Sequence, residues 1–111
     1  MPMSEWLDLD GYPTPHALRH IETWPPEKDY IDLMLLVDAL WKYKDCFIFE
    51  PYNRVCTLLT AGWSGNESLI SALKMNVAFW NQCWVSSHRG GKHVFEIRQP
   101  WLGEKDRERT R

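Results

Sequence analysis

A strand that turns directly into a helix constrains this chain more than any other feature. Val55–Leu59 is a β-type run that stops at Thr60-Ala61-Gly62-Trp63-Ser64-Gly65-Asn66-Glu67. Ser64 and Glu67 have the S-x-x-E spacing of a capping box, and a long apolar-periodic segment follows. Strand and helix must therefore share one folded unit. A glycine-flanked loop at such a junction aims free backbone N–H groups and the positive end of a helix at one spot, which suits an anion.

The flanking segments extend this pattern. Residues 1–13 read as an irregular arm that Trp6, Leu7 and Leu9 pin to the body. Thr14 is placed to cap a short helix with Pro15 at its first position, and Pro25-Pro26 ends it near Trp24. Asp29 caps a second helix with apolar positions Tyr30, Leu33, Met34, Val37, Leu40 and Trp41, running to about Tyr43. Leu35 and Leu36 widen its stripe, which predicts a helix covered on more than one side. Residues 46–50 are a second β-type run, joined to Val55–Leu59 by four loop residues, as in an antiparallel hairpin.

The helix after the capping box carries Leu69, Leu73, Val77, Trp80 and Trp84 at intervals of three and four, which predicts helix to about Val85. The rival reading breaks it near Gln82 and makes 83–87 a strand paired with 93–97 across Gly90-Gly91. Residues 93–98 alternate and form a strand either way. The expected order is α-α-β-β-α-β. The fold class is α+β, a small three-stranded antiparallel sheet with three helices packed on it. One domain spans 14–102, and 103–111 forms a disordered charged tail.

Composition narrows the function classes. The net charge of −2 hides an acidic first half, with ten Asp/Glu against four Lys/Arg in residues 1–50. An acidic surface addresses basic partners, and the lack of a basic stripe disfavours nucleic acid. Seven tryptophans are unusually many for this length; they read first as a tryptophan-rich core, and tryptophan is also enriched at interfaces. Cys46, Cys56 and Cys83 are widely spaced without C-x-x-C, as expected of reduced, buried thiols in a cytoplasmic protein. No apolar run is long enough to span a membrane, and residues 1–10 do not read as a signal peptide.

The candidate binding residues fall in two loops. Trp63, Ser64, Asn66 and Glu67 mark the first. Ser87, Arg89, Gly90, Gly91 and His93 mark the second, where an arginine lies beside backbone free to adopt positive φ. Each loop also has a plain structural reading, as a helix cap and as a helix-to-strand turn. An unbroken third helix would separate the loops by about 30 Å at 1.5 Å per residue. His16 and His20 lie i, i+4 on the first helix, but no ligand spacing completes a metal site. No catalytic set is recognisable and G-x-S-x-G is missing, so neither an enzyme nor a cofactor is expected.

The pattern Gly62-Trp63-Ser64-Gly65-Asn66-Glu67, Ala72-Leu73, Phe79-Trp80, Trp84, Arg89-Gly90-Gly91 and Phe95-Glu96, with Tyr12-Pro13-Thr14 before it, resembles a group of small uncharacterised tailed-phage and prophage proteins. The resemblance covers roughly residues 12–98. It implies a bacterial host cytoplasm and a small accessory protein that binds and modulates host or phage machinery, with inhibitors of host defence as one such class. The leading expectation is thus a non-enzymatic protein that occupies a surface on a host or phage protein. The alternative is a binder of a nucleotide or other anionic small molecule between the Trp63 and Arg89 loops, within one chain or across a homodimer.

Overall fold

The computed structural model describes residues 5–98. Within them the order is α1 Pro15–Glu22, α2 Tyr30–Leu40, β1 Phe47–Glu50, β2 Val55–Leu59, α3 Ser64–Met75, α4 Val77–Cys83, β3 Trp84–His88 and β4 Lys92–Glu96. The fold is α+β, as expected, but it has four strands and four helices where three of each were predicted. The tail 103–111 lies outside the described residues.

Local chemistry sets the first elements. The Thr14 hydroxyl accepts from Ala17 N at 3.1 Å and donates to the Glu5 carbonyl at 2.6 Å, which caps α1 and ties it to the arm. A Leu7–Pro13 bridge closes that arm, with Trp6 buried and Leu9 fully exposed. Trp6 and Leu7 therefore hold the arm, and Leu9 does not. Asp29 caps α2 by accepting from Ile31 N at 2.8 Å. α2 ends at Leu40 rather than Tyr43, because Trp41 is already extended and Tyr43 has φ 67°.

The third predicted helix is two helices. Asn76 closes α3 and caps α4, its Oδ1 accepting from Phe79 N at 3.2 Å. α4 then stops at Cys83, and Trp84–His88 pairs with β4 as the rival reading anticipated.

The sheet order is β1-β2-β4-β3, with every neighbouring pair antiparallel. Registers align Phe47, Leu58 and His93 in one row and Phe49, Cys56 and Phe95 two residues along, on the same face. Residues opposite one another in such a ladder share a face. Cys56, Leu58 and Phe95 are buried there against Leu33, Val37, Leu69, Leu73 and Phe79 of the helices. The other face carries half-buried Val55, Thr57, Leu59 and Val94. Among the described residues no helix is long and apolar enough to cross a membrane.

Candidate functional site

The loop after β2 folds onto itself. Ala61 and Gly62 have φ 55° and 73°, and Trp63 N donates to Thr60 O at 3.0 Å. The chain enters α3 at Trp63, which is extended and stands in the capping position without a side-chain bond. Ser64 is thus the first helical residue, and its hydroxyl donates to the Tyr12 hydroxyl at 3.4 Å. Glu67 falls one position beyond where a capping box places its acid, so the predicted box does not form.

Trp63 itself is half-buried. Its indole lies over Gly65, where an added β-carbon would collide with the ring. The Tyr12 ring centroid is 4.8 Å away, and Lys42 Nζ stands 4.9 Å from the indole centroid. These contacts form a cation–π and aromatic stack that packs the indole onto its own helix. Asn66 is fully buried, accepting from Lys42 N at 3.0 Å and donating to Lys42 O at 3.0 Å and Thr60 O at 3.3 Å. Its polar capacity is committed to holding the end of α2 against the start of α3.

The two predicted loops do converge. β4 starts beside the end of β2, with Leu59 opposite Lys92 and Thr60 N donating to Gly91 O at 3.0 Å. The Thr60 side chain lies against Gly91, leaving no room for a β-carbon. Gly90 and Gly91 have φ 86° and 82°, which glycine adopts at no steric cost. The separation expected from an unbroken helix is thereby overturned: strand pairing places both loops at one end of the sheet. Arg89 is exposed at that end.

His93 and Ser87 lie beside this turn. Trp84 Nε1 donates to Ser87 Oγ at 2.8 Å, and Ser87 Oγ is 2.8 Å from His93 Nδ1. An indole N–H can only donate, so Ser87 Oγ accepts from Trp84, and the direction of its bond with His93 Nδ1 follows the imidazole tautomer. Burial pushes the His93 pKa below its ordinary value, and the Glu67 charge opposes that shift. His16 and His20 pack against tryptophan: the Trp6 ring lies tilted at 4.9 Å from His16 and edge-on at 5.2 Å from His20, and Trp24 lies edge-on at 5.6 Å from His20.

A further site lies where no candidate residue was placed. A cavity of about 130 Å³ opens between α2 and the edge strand β1, lined by Ile31, Met34, Leu35, Asp38, Phe47 and Phe49. Leu35 is 61% exposed, and Phe47 and Phe49 are half-buried. The all-round apolarity of α2 predicted cover on more than one side. At Leu35 that cover is missing among the described residues. The signal was present in Leu35 and Leu36, but the uncovered side of an apolar helix is decided by tertiary packing. No family model matches the chain, and neither the curated proteins nor the solved structures offer a match.

Proposed function

We propose that this protein is a non-enzymatic binding protein that seats part of a protein partner in the groove between α2 and β1. The observation that carries this reading is Leu35, an exposed leucine on a helix that is apolar nearly all round, beside half-buried Phe47 and Phe49. Exposed apolar residues mark an interaction site where they adjoin one another, and Leu35 shares its cavity with the half-buried Phe47 and Phe49. Asp38 lies in the groove wall, and the acidic first half of the chain favours a basic partner. The setting of tailed-phage infection in a bacterial cytoplasm, and a role in modulating host or phage machinery such as host defence, rest on the resemblance alone. The test is site-specific photocrosslinking in bacterial cells, with benzoylphenylalanine replacing Leu35 or, as control, the fully exposed Tyr52. One dominant protein adduct at position 35 and none at 52 is expected. No adduct at position 35, or the same adducts at both, overturns the reading.

A second reading is favoured by the contact between Thr60 and Gly91. It gathers Arg89, Lys92 and the start of α3 at one end of the sheet, a setting suited to a small anion such as a nucleotide. Titration with ADP, followed by amide NMR, should shift Arg89–Gly91 and lose that shift in Arg89→Ala. Unmoved resonances at millimolar ADP would dispose of it.

A further inference from the structure

We propose that the occupant of the groove is an extended segment of the partner, added to β1 as a fifth strand, with an aliphatic side chain in the cavity and basic residues beside it. The inference rests on the binding reading above and adds the shape and chemistry of the bound segment.

β1 is an edge strand that pairs only with β2 among the described residues. Half of its residues therefore turn their backbone N–H and C=O groups away from the sheet. Edge strands are commonly blunted by lysine, proline or a bulge. β3, the other edge, carries such an irregularity between Trp84 and Ser86. β1 reads Phe47-Ile48-Phe49-Glu50 and keeps continuous register with β2. Its guards are only its four-residue length and Glu50 at its end, and it is the edge next to the apolar groove.

The groove suits a strand better than a helix. A helix laid beside β1 would leave the outward backbone groups of the strand dry and unpaired, whereas an added strand satisfies them. Side chains of an added strand alternate between faces. One set would pack on Phe47, Phe49, Met34 and Leu35, and the cavity of about 130 Å³ has room for one branched aliphatic side chain. The other set would lie beside Ile48, which is exposed on the opposite face.

Charge selects what flanks that aliphatic residue. Asp38 lines the groove and Asp32 precedes Leu35 by about one turn of α2, while Lys44 stands beside Asp38. Lys44 Nζ lies 3.8 Å from Asp38 Oδ1, in a pair exposed on both sides and therefore weakly held. Lysine or arginine on the incoming segment would meet an excess of carboxylate.

The experiment selects random displayed peptides on the full chain, then measures the enriched peptides by fluorescence anisotropy. Expected peptides share alternating aliphatic residues with lysine or arginine nearby. N-methylation of the peptide amides that face β1 should weaken binding by about tenfold or more, and so should Leu35→Lys. Leu35 is exposed, so circular dichroism should show that variant folded. Failure to enrich any peptide, enrichment of helical i, i+3, i+4 patterns, or indifference to N-methylation overturns strand addition. A crosslinked partner at position 35 alongside any of those results would leave the binding reading standing and remove only the strand. Binding unaffected by Leu35→Lys removes the groove from both.

Discussion

Asn76 Nδ2 donates to the Ile21 carbonyl at 3.0 Å, joining the junction of α3 and α4 to the end of α1 across 55 positions of sequence. The same nitrogen donates to Trp24 O at 3.0 Å, while Oδ1 caps α4. One buried amide thus satisfies both ends of the α1 turn and starts a new helix. The helical path then ends at Cys83, and Trp84–His88 joins the sheet.

Asn76→Ala should therefore be costly. It strands two buried carbonyls and removes a cap, a loss of about 2–4 kcal/mol. The melting temperature should fall by about 10 °C or more. Exposed Asn81 on α4 is the control, with Asn81→Ala expected within about 0.5 kcal/mol of the parent. Equal melting curves for the two variants would show that Asn76 does not organise the junction.

Trp63 and Gly65 should be energetically coupled. A β-carbon at position 65 would collide with the indole, so Gly65→Ala should destabilise by about 1–3 kcal/mol through forced repacking. In a Trp63→Ala background the obstacle is gone, and alanine is the better helix former by up to about 1 kcal/mol. Gly65→Ala should then become neutral or stabilising. Urea denaturation of the four proteins in the cycle gives the coupling. Additive effects would mean that the indole does not rest on Gly65 in solution.

The cysteines should react in a fixed order. Burial pushes the Cys56 thiol up to about 12 and the Cys83 thiol to about 11, and both side chains are buried. Thiolate is the reactive form, so neither should alkylate in the folded protein at pH 8. Half-buried Cys46 should take iodoacetamide first. Peptide mass spectrometry before and after guanidinium would read the order. Modification of Cys83 in the folded protein at the rate of Cys46 would place it nearer solvent than its packing here.

Elements governed by local chemistry were legible. Thr14 and Asp29 announce their helices because a cap is a bond between neighbours, and Val55–Leu59 reads as the strand it forms. The break at Asn76 was not, because its amide partners lie 52 and 55 positions away. The helical spacing of Trp80 and Trp84 also misled for a physical reason. Their rings stack at 5.9 Å although one is in a helix and the other in a strand. At the candidate site the glycines marked the loops correctly. Whether Trp63 would project or fold back was invisible, since the answer depends on Tyr12 and Lys42 arriving from elsewhere in the chain. The groove at Leu35 depends on which side of α2 the rest of the fold leaves bare.

Stability should decline as pH falls through the histidine range. Two histidines have folded pKa values below the ordinary 6.5. For His20 the first cause is burial, followed by the charges of Lys28 and His16. For His93 it is burial again, partly offset by Glu67. A depressed histidine binds its proton more readily in the unfolded chain, so the unfolded state takes up protons first as pH falls below about 6.5. The contribution of neutral histidine is thus complete above that pH and is lost on acidification toward the lower, folded values. Urea midpoints should therefore be higher at pH 8 than at pH 5, before most carboxylates titrate. The difference should shrink in a protein carrying His20→Gln and His93→Gln. A flat profile in the parent, or an unchanged slope in the double variant, would show that neither histidine is held neutral by the fold.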